Sequence, residues 1–149
     1  GLTAEAKSMI GNTKWNLGGT ASYTSSSNGL ASHWYTYERG TDVYSGRPTE
    51  WIGKVGLMYP SDYGYATSGG STTNRETCLN TVLYNWNGSN VSDCKNNDWL
   101  YNSENHQWTL TSHSGASYGM YGVYSDGRMN YYHAFVTTIV ASPRLISKL

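Results

Sequence analysis

The feature that most constrains this chain is a run of aromatic and small residues in its C-terminal third that contains a turn. Ser125-Asp126-Gly127 separates two runs rich in Tyr and Val. Asp-Gly between such runs favours an antiparallel hairpin, because glycine adopts positive φ without a Cβ clash. The segment 108–111 reads as a strand that precedes the hairpin. We therefore predict strand, turn and strand between residues 108 and 135.

The hairpin carries more Tyr than a core requires, which indicates a recognition surface. Tyr gives a large contact area at low entropic cost and is abundant in binding loops. If Val123 and Met129 point into the core, strand alternation places their neighbours on the opposite face. The predicted ligand-binding residues are Tyr118, Tyr121, Tyr124, Arg128, Asn130, Tyr132, His133 and Phe135. We expect Tyr124, Arg128, Asn130 and Tyr132 to be exposed, and Trp108, Leu110 and Val123 to be buried.

Composition excludes several classes of function. Charged residues make up 13% of the 149 residues and the formal net charge is zero, so no basic stripe exists for nucleic acid. No run of about 20 apolar residues is present to insert into a membrane. The aromatic content of 14%, almost all Tyr and Trp, is typical of an extracellular, β-rich single domain with long ordered loops. We expect most of the six Trp to lie in the core.

The two cysteines, Cys78 and Cys94, flank 15 polar, turn-prone residues. A Cys pair around such a loop is typical of an oxidising compartment, so we predict a disulfide. The alternative is two unrelated buried thiols. The chain starts at Gly1-Leu2 without Met or a signal peptide, which suggests a processed piece of a longer secreted protein.

Periodicity and turn residues predict short elements separated by loops, an α+β pattern. Thr3 can cap a short helix that ends before Gly11. Strands are predicted at 13–19 and, as a central strand, at 51–59; loops at 20–30 and 62–74. The segments 31–40 and 77–86 each fit a helix or a strand, and 98–101 a short strand or a turn. A last strand covers 137–149, interrupted at Pro143.

Several runs resemble a family of secreted bacterial proteins, many of which have a prepilin-type N-terminal helix and a C-terminal globular head. The runs are Lys14–Gly19, Tyr37–Gly40, Tyr44–Pro48, Gly56–Ala66, Cys94–Tyr101 and Gln107–Leu110. The head is similar to the C-type-lectin-like fold, in the branch that includes formylglycine-generating enzymes. The resemblance implies one head domain over 1–149 with one or two short helices. Ala141–Lys148 departs from the closing strand of the family.

The resemblance also bears on the hairpin and on metals. The family stretch that matches 118–138 looks hypervariable, as in proteins diversified by retroelements that mutate adenines. The hairpin composition fits that origin and equally fits an ordinary Tyr-rich β surface. Asn96-Asn97-Asp98-Trp99 is similar to the calcium loop of sugar-binding C-type lectins, but no Glu-Pro-Asn run accompanies it. We therefore predict no metal and no other cofactor.

No arrangement of residues in the sequence predicts catalysis. The four His are scattered without metal-ligand spacing, and the carboxylates are too dispersed for a glycosidase pair. The leading hypothesis is a non-enzymatic extracellular binding or adhesion head on a bacterial surface or pilus. Its ligand would be a protein or glycan on another surface. The alternative is a pilin-like structural subunit whose aromatic surface packs against identical neighbours in a filament.

Overall fold

The protein is an α+β structure with two small sheets and short helices. The computed structural model describes residues 3–65, 75–85, 103–133 and 139–140. The helices are α1 (Ala4–Met9), α2 (Ala31–Glu38), α3 (Pro60–Tyr65) and α4 (Arg75–Leu79), with a 3₁₀ helix at Leu83–Asn85. The strands are β1 (Thr13–Asn16), β2 (Glu50–Gly53), β3 (His106–Ser112), β4 (Gly119–Val123), β5 (Met129–His133) and β6 (Ile139–Val140). The predicted α+β class is confirmed.

The larger sheet has the order β5-β4-β3-β6 and holds the predicted hairpin. Strands β3, β4 and β5 are antiparallel neighbours, and β6 runs parallel to β3. Beyond β6, the same edge of β3 is covered by two other segments. The Leu110 N–H donates to the carbonyl of Met58 at 2.9 Å, and the Ser114 N–H donates to Thr20 at 3.2 Å. These contacts satisfy backbone groups that a sheet edge would otherwise expose.

The predicted Ser125-Asp126-Gly127 turn connects β4 to β5 and is confirmed. Gly127 has a φ of 94°, in the region that glycine adopts without strain. The Tyr124 N–H donates to the Arg128 carbonyl at 2.9 Å, and the Gly127 N–H donates to the Tyr124 carbonyl at 2.8 Å. The Asp126 carboxylate accepts from the Arg128 N–H at 3.2 Å, which is the local side-chain bond that favours Asp in turns.

The inner face of the larger sheet forms the core with the helices. Tyr121, Val123 and Met129 are almost completely buried and cluster with residues of α2, α3 and α4. Tyr121 packs edge-on against Trp34 of α2, with ring centroids 4.6 Å apart. Edge-to-face geometry suits the quadrupoles of aromatic rings. Val123 is buried, as predicted, and Met129 also points into the core, so both meet the condition from which the outward-facing residues of the hairpin were predicted.

The second sheet is a two-stranded antiparallel ribbon of β1 and β2. Trp15 is buried and its indole N–H donates to the Gly53 carbonyl at 3.0 Å. The prediction of a central strand over 51–59 is wrong. The strand ends at Gly53, and both Trp51 and Ile52 are exposed. Alternating apolar residues also occur in a strand with only one covered face. Here the ribbon packs on one side, through Trp15, and its strand is not covered on both faces.

The helices α1 and α2 agree with the sequence-based predictions, whereas α3 extends into a segment that was predicted to be a loop. The Thr3 hydroxyl accepts from the Ala6 N–H at 3.2 Å and caps α1, as predicted. The segment 31–40 is a helix, α2. The loop predicted from residue 62 is wrong over its first residues, because α3 continues to Tyr65. Pro60 suits the first turn of a helix, where its missing N–H costs nothing.

The described part of the segment 77–86 is helical, in α4 and the 3₁₀ helix. The predicted elements at 98–101 and most of 137–149 lie outside the described residues, apart from β6. Four of the six Trp are described, and only Trp15 and Trp34 are buried. Trp51 is 46% exposed and Trp108 is partly exposed, so two of the four described Trp meet the expectation that most of the six lie in the core. Trp86 and Trp99 lie outside the described residues.

Candidate ligand-binding surface

The predicted site residues divide between the two faces of the larger sheet. Paired residues of antiparallel strands carry their side chains on the same face. Tyr121 pairs with Tyr131, on the inner face. Met120 pairs with Tyr132, and Gly122 pairs with Trp108 of β3, on the outer face. The hairpin therefore presents two separate groups of aromatic side chains.

The first group, which we call the outer-face cluster, consists of His106, Trp108, Tyr124, Arg128 and Tyr132. The rings of Tyr124 and Tyr132 stack with centroids 4.3 Å apart and an interplanar angle of 24°. The His106 imidazole lies 4.8 Å from the Tyr124 ring, and Trp108 meets the Tyr132 ring edge-on at 6.1 Å. All five members are partly exposed, so they form a rigid surface that still reaches solvent.

Hydrogen bonds and charge fix the polar atoms of the outer-face cluster. The Ser125 N–H donates to His106 Nδ1 at 2.8 Å. Arg128 Nε lies 3.1 Å from the Asp126 carboxylate, and its guanidinium carbon lies 4.7 Å from the centre of the Tyr124 ring. Burial raises the pKa of Tyr132 well above its usual value, and a hydrogen bond with Tyr124 raises it further. Tyr132 therefore stays a neutral hydroxyl at physiological pH.

The rest of the outer face is covered by the chain that follows the first ribbon strand. Arg47 donates to the Ser117 carbonyl through Nη2, and its Nη1 lies 3.7 Å from the sulfur of Met120. Leu17, Pro48 and Leu110 complete the lining of a small cavity of about 100 Å³ there. That volume holds a few water molecules and no sizeable ligand. The outer-face cluster is therefore the open part of this face.

The second group, the end cluster, consists of His113, Tyr118, Tyr131 and His133. Tyr118 stacks on His133 with centroids 4.2 Å apart, and His113 lies 4.5 Å from the Tyr131 ring. Tyr118 and Tyr131 are 45% and 38% exposed. Burial lowers the pKa of His113, against the opposing effect of Asp42. The end cluster lies next to the core, at the end of the hairpin opposite the Ser125-Asp126-Gly127 turn.

Three of the sequence-based assignments need correction. Tyr121, predicted as a ligand-binding residue on the surface, lies in the core instead, with no exposed surface and its hydroxyl donating to the Thr20 carbonyl at 2.7 Å. Trp108 and Leu110 are not buried in the core, since β3 turns Gln107, Thr109 and Thr111 inwards. The residues expected to be exposed, Tyr124, Arg128, Asn130 and Tyr132, are half-buried. Phe135 lies outside the described residues.

Asn130 has a structural contact that the sequence did not suggest. Its side-chain oxygen accepts from the Tyr23 hydroxyl at 2.7 Å and from the Tyr131 N–H at 2.9 Å. β5 is an edge strand, so this side chain satisfies a backbone donor that would otherwise be open to a neighbouring strand. We therefore assign Asn130 to the sheet edge and not to a ligand contact.

His106 is a member of this surface that was not predicted from the sequence. His106 begins β3 and lies 18 positions before Tyr124, so no local spacing connects them. A usable signal was the alternation of His106 and Trp108 along one strand, which places both on one face. Glu38 was not predicted either; it is a buried carboxyl group that links α2 to α3 through Ser61.

Metal and cysteine chemistry stay as predictions. In the described ranges, no group of three or more His, Cys, Asp and Glu side chains could hold a metal ion. Cys78 is fully buried in α4, while Cys94 lies outside the described residues. The described part contains no free cysteine, which is compatible with the predicted pairing. Among the helices described, none has the length and apolar character needed to cross a bilayer.

Comparisons with protein-family models, with curated proteins and with solved structures find no match to this chain. The assignment of a function therefore depends on the geometry of the hairpin alone.

Proposed function

We propose that this chain is an extracellular ligand-binding or adhesion head with a C-type-lectin-like fold, displayed on a bacterial surface or pilus. Its ligand is a protein or glycan of another surface, and it docks on the outer-face cluster. The observation that carries the proposal is the packing of five partly exposed aromatic and basic side chains on one sheet face. Rigid Tyr, Trp and Arg side chains are the residues that most often anchor interfaces.

The rigidity of the outer-face cluster supports a binding role. Tyr124 and Tyr132 hold each other by stacking, so little side-chain entropy remains to be lost when a ligand binds. The backbone that carries them is held by the hairpin, because Tyr132 pairs with Met120 of β4 and the Tyr124 N–H donates to the Arg128 carbonyl at 2.9 Å. A surface held in this way is suited to recognition without rearrangement.

The test is an array of defined glycans and cell-surface proteins, followed by variants of the outer-face cluster. We expect Tyr124→Ala and Tyr132→Ala each to weaken the binding of the ligand that the array identifies by about 1–2 kcal/mol. Tyr35→Ala is the matched control, because Tyr35 is an exposed tyrosine of α2, the helix that packs against the inner face of the sheet. Binding by the double variant that equals binding by the parent would reject the proposal.

If the domain is diversified in sequence, as the resemblance implies, the structure predicts at which positions copies of the domain differ. Substitution of Tyr121, Val123 or Met129 would disrupt the core, since all three are nearly inaccessible. Differences between copies should therefore concentrate at the outer-face and end clusters. Sequencing many copies from one population tests this, and variation that is equally common at the three core positions would contradict it.

The alternative, a filament subunit, is favoured by a different surface. Trp51 and Ile52 of β2 are 46% and 67% exposed, on a ribbon strand with only one partner strand. Exposed apolar side chains on such a strand promote self-association. Sedimentation of the purified chain distinguishes the two functions. Concentration-dependent assembly that Ile52→Ser abolishes would favour the filament subunit, and a monomer at all concentrations would favour the binding head.

A further inference from the structure

The outer-face cluster presents hydrogen-bond donors to solvent and very few acceptors. His106 Nδ1 already accepts from the Ser125 N–H, so the neutral imidazole carries its hydrogen on Nε2. The indole of Trp108 can only donate. Within the described ranges neither N–H group has an acceptor, and neither is a buried atom without a partner. Both donors are therefore accessible to a ligand.

The tyrosine pair adds a third donor. Tyr124 and Tyr132 stack on each other and share a side-chain hydrogen bond. Two hydroxyl groups that share one hydrogen bond have one hydroxyl hydrogen left over. No other acceptor for that hydrogen is present in the part of the chain described. The pair therefore has one O–H group available to a ligand.

Arg128 adds a planar pair of donors, and its positive charge is balanced by the Asp126 carboxylate, which is 40% exposed. Its Nε lies 3.1 Å from Asp126, and its side chain is 35% exposed. Neither terminal Nη atom makes a hydrogen bond or an ion pair with another described residue. Such a fork matches the two oxygens of a carboxylate.

The ring of Tyr124 is largely occupied within the protein. It contacts the Tyr132 ring, the His106 ring and the guanidinium of Arg128, all within 5 Å of its centre. Little of this ring remains for the face-on stacking that a neutral sugar ring would use. The edge of an aromatic ring carries partial positive charge, as do the polar hydrogens of the cluster. The Asp126 carboxylate is the acceptor beside them, and it is paired with Arg128.

We infer that the outer-face cluster recognises a carboxylate of an acidic polypeptide segment, held by the Arg128 fork and by the Tyr124, His106 and Trp108 donors. This inference rests on the proposed function and specifies its ligand. The carboxylate supplies the acceptors that the cluster lacks, and the acidic side chain brings its own apolar stem to the edges of Trp108 and Tyr132.

The experiment measures binding of an eight-residue glutamate peptide and of an eight-residue glutamine peptide to the full chain by calorimetry. We expect the glutamate peptide to bind at least about 10-fold more tightly, and to weaken as salt is raised. Arg128→Gln should reduce its affinity about 10-fold and Tyr124→Phe about 3-fold, since the latter removes only the hydroxyl. Lys14→Gln, on the exposed β1 strand, removes the same charge elsewhere and should change the affinity less than about 2-fold.

Several results would overturn the inference. Equal binding of the two peptides would exclude carboxylate recognition, and an equal loss in Lys14→Gln would reduce it to a general charge effect. If an acidic oligosaccharide competes more strongly than the peptide, the polypeptide assignment is wrong. Tyr124→Phe keeps the stack, so it gives an answer even if Arg128→Gln fails to fold. A ligand from the array that needs Tyr124 and Tyr132 but is neutral would leave the proposed function intact and reject only this inference.

Discussion

Glu38 is a carboxyl group without exposed surface that joins two helices. Its two oxygens accept from the Ser61 N–H at 2.8 Å and contact the Ser61 hydroxyl at 2.5 Å. Burial raises its pKa from 4.5 to about 8, and nearby Asp62 acts in the same direction. The Ser61 hydrogen bonds and Arg39 oppose the shift without cancelling it. Glu38 is therefore mostly neutral at physiological pH.

A raised pKa in the folded state makes the protein less stable as pH rises. The contribution of Glu38 is complete below about pH 4.5 and is lost as pH rises through about 8. Glu38→Gln mimics the neutral acid and does not ionise. As pH rises from 5 to 9, the free energy of unfolding should therefore fall by less in the variant than in the parent, the difference being on the order of a few kcal/mol. Urea unfolding across this range is the measurement.

Glu50→Gln serves as the control for Glu38, because Glu50 is half-exposed and forms a surface ion pair with Lys14. Its stability should follow the pH profile of the parent. A Glu38→Gln variant that loses stability as steeply as the parent would show that other groups, such as Asp62, cause the dependence.

Gly19 is a residue where the backbones of two segments come too close for a side chain. Its N–H donates to the Asp42 carbonyl at 2.8 Å, and a Cβ on it would overlap the Ser112 carbonyl oxygen. Gly19→Ala should therefore destabilise the protein by about 1–3 kcal/mol. Gly11→Ala is the control, because nothing lies within 4 Å of the Cβ position there. Thermal melts of the two variants that coincide would contradict this packing.

At the scale of the element, the β4–β5 hairpin depends on one glycine. Gly127 has a φ of 94°, and any L-residue with a Cβ is strained there. We expect Gly127→Ala to cost about 1–2 kcal/mol of stability and Gly127→Asn less, because Asn tolerates this region better. Chemical denaturation of both variants checks the order. Equal stability of the alanine variant and the parent would mean that the turn relaxes to another type.

The hairpin also has to keep its outer edge from pairing with another chain. Asn130 satisfies the Tyr131 N–H and anchors to Tyr23, which ties the edge strand to the core. Tyr132 and His133 are neighbours in β5, and they stack on Tyr124 and on Tyr118. The same contacts that hold the binding surface rigid therefore also protect this edge.

At the scale of the whole molecule, the predicted bond between Cys78 and Cys94 would restrict a long polar loop. Closing a loop of this length stabilises a protein by about 3 kcal/mol in the chain-entropy model. We expect intact mass to rise by two hydrogens on reduction, and the melting temperature to fall. Two free thiols in the native protein would show that the bond is absent. Ser replacement of both cysteines controls for the reductant.

Local chemistry was enough to predict the features that a few neighbouring residues decide. The Asp126-Gly127 turn and the Thr3 cap each depend on bonds within four positions, and both are present in the structure. The burial of Val123 was also predicted, and alternation around that turn places Tyr124 and Tyr132 on the face opposite Val123 and Met129. The α+β class followed from the mixture of short strands and short helical segments, because each period is a local property.

The tertiary structure alone decided which side of β3 faces the core. Apolarity favoured Trp108 and Leu110, yet Thr109 and Thr111 are the buried residues. Both faces of this sheet are partly covered. The apolar character of a residue in β3 therefore does not tell which face its side chain lies on. Tyr121 and Trp34 fill the inner side, and Thr109 fits against them by donating to the Tyr121 carbonyl at 2.9 Å. His106 joins Tyr124, and Glu38 meets Ser61, only because distant segments pack together, and no spacing in a sequence records that contact.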